Sequence, residues 1–320
     1  MFNNNFNGAL ATAVQEGLSG PSKSLPAFML YDERGSTLFE EITRLPEYYL
    51  TRAERSIFVQ HARAIAARAC ALVTRPLQVL ELGAGTAKKS QILLHAMVEA
   101  QGQTIYVPAD VAPDPLFEAS RRLQRDEPLL TVRPLVTTHE EVLDVASALS
   151  EPLFVWFLGS SIGNYSDVEA TRLLSHVRAA LGEQGVLLLG ADIKKSAEVL
   201  VPAYDDKRGV TAQFNKNVLL RINRELGGHF DLDAFRHVAL WNERGSRMEM
   251  HLESTRKQDV MIDALGLQVS FEVGERIHTE SSHKYDREQL DALFGRAGLK
   301  RVHTFLDAGQ RFAVHLARPS

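Results

Sequence analysis

The sequence predicts an α/β protein built on a doubly wound parallel sheet and carrying a smaller α+β lobe. Three observations predict it. Short apolar runs alternate with segments of helical period through the middle of the chain, each run ends in small or acidic residues, and the last two runs are separated only by Ala-Gly-Gln. Parallel strands cannot be joined by tight turns and need long crossovers, which the helical segments supply. Two runs that close together pair antiparallel instead.

The strands follow in order. LQVLELGAG (77–85), TIYVPAD (104–110), LLTVRPLV (129–136), PLFVWFLG (152–159) and GVLLLGAD (185–192) are the five parallel candidates. REQLDALFGRAGL reads as one more helix, and KRVHTFLD with RFAVHLAR as an antiparallel hairpin on the sheet edge. By fold analogy, a parallel sheet finished by such a hairpin is the methyltransferase variant of the Rossmann plan, with ligands at the carboxyl ends of the strands. Two regions do not fit the sheet. Residues 1–60 and 196–284 hold helices and alternating strands, with Leu267, Val269, Phe271 and Val273 expected on one face. The expected division is therefore 61–195 plus 285–320 for the Rossmann-like, class I methyltransferase domain, and 1–60 plus 196–284 for a substrate-binding lobe.

Composition narrows the partners. In 320 residues, 45% apolar and 24% charged side chains with a net charge of −4 are ordinary for a globular protein with its own core. No block of lysine or arginine tracks a phosphate backbone, so nucleic acid is not the expected partner. The single cysteine, Cys70, is read as a core residue in a reducing compartment. MFNNNFNGAL has neither the basic nor the apolar region of a secretory leader, and no run approaches the ~18 apolar residues of a membrane span. A cytoplasmic monomer without membrane contact is expected.

In LELGAGTAKKS, Gly83 and Gly85 follow a strand and precede a helix, which lets backbone approach a ligand. Lys88 stands where a dinucleotide loop would want its third glycine. Asp110, at the end of the next strand, is placed to accept from a ribose diol, or else to turn the chain in ADVAPDP. Glu81 and the terminal hairpin favour S-adenosylmethionine over a dinucleotide. In FLGSSIGNYS, Asn164 ends a buried run. From the residues alone it reads equally as a turn or helix-cap residue, since Ser166 and Asp167 cap the next helix anyway.

YDERGSTLFEEITRLPEYYLTRAE, ELGAGTAKKS, FLGSSIGN, AYDDKRGVTAQFNKNVL, FDLDAFRHVALWN, MEMHL and TESSHKY occur in this order. Together they resemble the histidine Nα-methyltransferases of ergothioneine biosynthesis over essentially the whole chain. The resemblance implies trimethylation of L-histidine to hercynine, S-adenosyl-L-methionine as cofactor with S-adenosyl-L-homocysteine as product, and no metal. It also implies that Asn164, Tyr48 and Tyr204 hold the amino-acid head group, with backbone at Gly159 near the amine and Tyr31 close to it, Tyr31 and Asn164 being the catalytic candidates. Glu280 and Ser282, sharing one face of an extended segment, would bind the two imidazole nitrogens, and Phe39 and Met250 would line the pocket. Cofactor positions carried over are Gly83, Gly85, Lys89 and Asp110.

The adenine position departs from the family, which has Asp-Phe where this chain has Thr138 and His139. His139 is open to stacking on the base, bonding to it, or standing in solvent. Lys88, Lys194 and Lys195 read as surface charges. Besides histidine, another free amino acid or small amine is a possible substrate, and a non-catalytic binding module on the same fold is a third reading.

Overall fold

A computed structural model describes residues 3–146 and 152–320. The first two residues of the N-terminal stretch discussed above lie outside the described residues. The chain forms two compact units, Met1–Tyr49 with Lys195–His283, and Leu50–Lys194 with Lys284–Ser320. The helix Leu50–Cys70 belongs whole to the second unit, so the 60/61 division expected from sequence falls inside it. Leu50, Ala53, Ile57, Phe58, Ile65 and Ala69 make one continuous buried stripe of that helix, and a stripe with 3.6 periodicity is not divided between two cores.

The second unit is built on the sheet. From one edge to the other its strands are Leu299–Leu306, Phe312–Pro319, Val186–Asp192, Leu153–Phe157, Gln78–Leu82, Thr104–Asp110 and Leu130–Val132. The five candidates are parallel, and the terminal hairpin joins Val186–Asp192 antiparallel. Gln78–Leu82, Leu153–Phe157 and Val186–Asp192 are buried at every position, as strands covered on both faces must be. The third run is split into Leu130–Val132 and Leu135–Val136. Pro134 between them has no N–H to give the ladder, while Arg133 N–H still donates to Tyr106 O at 2.8 Å.

The helices around this sheet begin where their sequences say. Ser166 and Glu169 form a reciprocal capping box at Asp167–Leu181, and Asp286 and Gln289 another at Arg287–Arg296. Leu173, Leu174 and Val177 of the first, with Leu290 and Phe294 of the second, close one face of the sheet over Val155, Phe157 and Leu189. Cys70 departs from its expected core place. As the last helical residue it is only half-buried, with its thiol facing Gln101 Oε1 at 3.7 Å.

The first unit is α+β. Its sheet runs Lys23–Ser24, Arg276–His283, Arg247–Ser254 and Phe235–Asn242, with Gln258–Ile262 and Leu267–Phe271 as a separate antiparallel pair. In that pair Val269 and Phe271 are buried, but Val273 is 69% exposed, because the strand ends at Phe271 and the chain turns at Gly274. The unit's α-helices are Asn3–Ser19, Glu33–Ile42, Ala197–Tyr204 and Val210–Leu226. Lys195 is no simple surface charge. Its ammonium donates to Tyr49 Oη at 2.7 Å and lies 4.6 Å from the centre of that ring.

Where the second unit's chain breaks off and resumes, Ile193 bridges Tyr285 in parallel. Beside that bridge Lys284 Nζ lies 3.0 Å from Asp192 Oδ2, with both side chains 0% exposed. Removing one partner of a buried pair takes from the other its opposite charge, a loss of up to about 3–5 kcal/mol. Lys284→Met is therefore expected to lower the urea midpoint of this unit, followed through the fluorescence of its buried Trp156. An unchanged midpoint would mean that the pair contributes nothing net.

Candidate active site

In the second unit the cofactor candidates gather at the carboxyl ends of the strands. Gly83 and Gly85 take φ of +69° and +51° after Gln78–Leu82, a left-handed path open to residues without a Cβ. Gly85 N–H donates to Asp110 Oδ2 at 2.8 Å, and Ala112 N–H to Oδ1 at 2.9 Å. Each carboxylate oxygen of Asp110 has a second lone pair, so both the turn and the diol readings fit its geometry. Lys89 follows the loop, just before the helix Ser90–Gln101.

Glu81 works beneath this loop. It is buried in the strand and accepts from Ser90 Oγ at 2.6 Å and Tyr106 Oη at 2.5 Å, tying the first residue of the helix to two neighbouring strands. Burial pushes its carboxyl up to about 7 against the lowering effect of those two hydroxyls and of Lys89.

The residue that sequence reasoning missed is Glu54. Its side chain is fully buried; Oε1 accepts from Gly159 N–H at 2.7 Å, and Oε2 is ion-paired with Lys89. A Cβ on Gly190 would stand 2.3 Å from Oε1, so the fifth strand admits this carboxylate only because residue 190 is glycine. The signal was present in the sequence: Glu54 occupies the apolar stripe of its helix, between Ala53 and Ile57, where a carboxylate without partners is not found.

The loop after Leu153–Phe157 is thereby fixed. Gly159 and Ser160 both have positive φ, Ser160 Oγ accepts from Asp192 N–H at 3.0 Å, and Asn164 ends the short 3-10 turn Ser161–Asn164. Since Ser166 caps the following helix, Asn164 is not its N-cap. Thr138 is engaged locally. Its hydroxyl and N–H both meet Glu141 Oε2, at 3.0 and 3.1 Å, while Glu141 N–H donates to Thr138 Oγ1 at 3.3 Å, a capping box that the letters T-H-E-E spell out. His139 does not stand in solvent. Nδ1 lies 2.9 Å from Tyr165 Oη, the ring meets Phe157 edge-on at 5.3 Å, and Nε2 would lie 3.3 Å from a Cβ at Gly83. Burial lowers its pKa, opposed by Glu140 and Asp110, so the imidazole is neutral at pH 7. Tyr165 is a second contact that the sequence reading missed.

The substrate candidates of the first unit form one aromatic cluster around two polar groups. Tyr31 and Phe39 meet at 5.6 Å, Phe39 and Tyr48 at 6.1 Å, and Tyr48 and Tyr204 at 6.4 Å, mostly edge to face. Phe214, not singled out from sequence, closes the group at 5.4 Å from Tyr31 and 6.0 Å from Phe39. Glu280 and Ser282 are both buried, with Met250 and Met248 directly opposite them on the neighbouring strand. Tyr204 Oη donates to Ser282 Oγ at 2.8 Å, and Tyr31 donates to Glu280. Both tyrosines therefore touch the pair assigned to the imidazole; the resemblance gave Tyr204 the head group and placed Tyr31 near the amine. Burial, then the Glu280 charge, then Tyr48 and Tyr204 push the Tyr31 phenol well above its ordinary value, so it stays protonated and serves as a donor.

Among the described residues, no group of three or more His, Cys, Asp or Glu side chains is arranged to hold a metal ion, and no helix is long and apolar enough to cross a membrane. The histidine-specific, S-adenosylmethionine-dependent methyltransferase family matches residues 10–319. A histidine N-alpha-methyltransferase of Mycolicibacterium smegmatis is 41% identical over 309 residues, 97% of this chain and 94% of that protein. One from Mycobacterium tuberculosis gives the same figures. Ergothioneine biosynthesis protein 1 of Neurospora crassa is 30% identical over 317 residues, 97% of this chain and 34% of that protein.

The Glu81 shift has a measurable sign. The folded state keeps this proton up to about pH 7, whereas the unfolded chain loses it near its ordinary 4.5, so the contribution is full below 4.5 and is lost as pH rises through about 7. The slope approaches about 1.4 kcal/mol per pH unit inside that window. Glu81→Gln has no proton to lose, and urea unfolding across the window is expected to show a flatter profile for the variant than for the parent. Parallel profiles would place the Glu81 carboxyl outside this range.

Proposed function

The chain belongs to the histidine-specific, S-adenosylmethionine-dependent methyltransferases, and from that premise we propose that it carries L-histidine through three methylations of its α-amine to hercynine. It is an enzyme that uses S-adenosylmethionine and acts on histidine. The observation that carries the substrate assignment is the buried pair Glu280 and Ser282. A neutral imidazole presents one N–H and one bare nitrogen. Glu280 accepts from the first, and Ser282, itself receiving the Tyr204 hydroxyl, is set to donate to the second. Met250 and the aromatic cluster supply the apolar walls that make the loss of either bond expensive.

For the head group, Tyr48 donates to the carboxylate and Asn164 offers one amide donor and one acceptor, while the Gly159 backbone leaves room for the amine. S-adenosylmethionine supplies a methyl group on a sulfonium for in-line displacement by the amine lone pair. Lys89 and Asp110 are the polar side chains suited to its amino-acid end and its ribose, and Gly83 and Gly85 suit close approach of backbone to it. Glu54 acts behind Lys89, fixing the ammonium while it fixes Gly159. At the adenine, His139 with Tyr165 takes the place of the family's Asp-Phe, and Thr138 contributes by capping the helix that carries His139. Tyr31 remains a phenol and is assigned as a donor near Glu280, not as a base.

The decisive experiment is mass spectrometry of the purified protein incubated with S-adenosylmethionine and each of the twenty amino acids. Histidine alone gaining three methyl groups is the expected result. Gain on a different amino acid would reassign the lobe, and no gain anywhere would favour a non-catalytic module. The later intermediates approach a fixed cation, which aromatic faces stabilise by roughly 0.5–2 kcal/mol each. Phe39→Leu and Tyr48→Leu are therefore expected to slow the third transfer several-fold more than the first, read as accumulated dimethylhistidine in single-turnover time courses. Equal slowing of all three steps would remove the aromatic stabilisation from the account.

A further inference from the structure

Glu280 and Ser282 face inward only because their strand carries one residue too many. Arg276–His283 runs antiparallel to Arg247–Ser254, pairing Arg276 with Glu253, Ile277 with Leu252 and His278 with His251. The next pair is Glu280 with Met250, so Thr279 has no partner and the register shifts there.

Parity shows what the shift does. Side chains of a regular strand alternate between faces, so burial of Ile277 would carry 279, 281 and 283 inward and turn Glu280 and Ser282 outward. In the structure Ile277 and Thr279 are buried, and then Glu280 and Ser282 are buried while Ser281 and His283 are partly exposed. The other face gives independent support. His278 Nε2 lies 2.9 Å from Ser281 Oγ, a contact between residues three apart that an unbroken strand would place on opposite faces.

The bulge is held by a side chain and not by a special backbone residue. Thr279 Oγ1 donates to Met250 O at 3.0 Å, across the strand pair and at the residue directly opposite Glu280. No glycine and no positive φ occurs within Arg276–His283. The hydroxyl is also buried, so without it Met250 O would lose a partner that water cannot readily replace.

We propose that Thr279 is a positioning residue for substrate specificity, whose hydroxyl pins the bulge that turns Glu280 and Ser282 toward the imidazole. The proposal rests on the assignment of those two residues to the imidazole, and its test separates the two claims. Thr279→Val keeps the shape and removes the donor; Thr279→Ser keeps the donor. Steady-state kinetics with L-histidine are expected to give Thr279→Val a KM raised about tenfold, the loss of one net hydrogen bond, with kcat within about twofold. Thr279→Ser should restore the parental KM, and S-adenosylmethionine affinity by calorimetry should be the same in all three proteins.

Glu280→Gln is measured alongside. If it leaves the KM for histidine unchanged, the imidazole assignment fails. If it raises KM while Thr279→Val does not, the assignment stands and the positioning role is rejected. A Thr279→Val protein that loses kcat and cofactor affinity together, with a lowered melting temperature, would likewise overturn the proposal in favour of a purely structural hydroxyl.

Discussion

A carboxylate fully withdrawn from water at the carboxyl edge of a parallel sheet is the constraint around which the second unit is arranged. Glu54 cannot be buried there without partners, since an unpaired charge in the interior costs far more than a domain's margin of stability. It takes two: the Lys89 ammonium from the loop after the first strand of the parallel set, and Gly159 N–H from the loop after the fourth. The fifth strand makes room by presenting Gly190, where any side chain would collide with the carboxylate. One residue from a helix that precedes the sheet thus fixes two of the loops at the carboxyl ends of its strands.

Glu81 repeats the logic with hydroxyls. Ser90 and Tyr106 satisfy it, and its elevated pKa reflects partners that stabilise the anion less than burial opposes it. The glycine loop is consequently anchored from below by Glu81 and from the side by Asp110. Such preorganisation suits a reaction that needs alignment and dryness more than proton transfer.

The first unit solves a different problem. Its polar groups sit among aromatic edges, where each hydrogen bond is strong and each missing one is costly. Tyr31 and Tyr204 are spent on orienting Glu280 and Ser282. A phenol thus stands behind each of the two polar groups proposed to bind the imidazole. The same unit needs a break in strand regularity at Thr279 to present Glu280 and Ser282 on one side.

Much of the fold was legible because it depends on patterns local in sequence. The five apolar runs, the terminal hairpin and the helix cap at Ser166 each occupy a short window, and each formed where its residues indicated except the third run, which is split at Pro134. Val273 and Cys70 were misread because a period of two or of 3.6 does not announce where the element stops. Thr138 was legible as a helix cap, yet the resemblance drew attention to the adenine instead.

The sequence by itself determined the fold class and the family, and named the residue types of the candidate site, since hydrophobic periodicity and long motifs are one-dimensional properties. Only the tertiary structure decided that Glu54 has Lys89 and Gly159 as partners, that His139 pairs with Tyr165, and that an unpaired Thr279 turns Glu280 and Ser282 inward. Those facts depend on contacts between segments far apart in the chain and on a one-residue register shift, neither of which leaves a periodic trace in the letters.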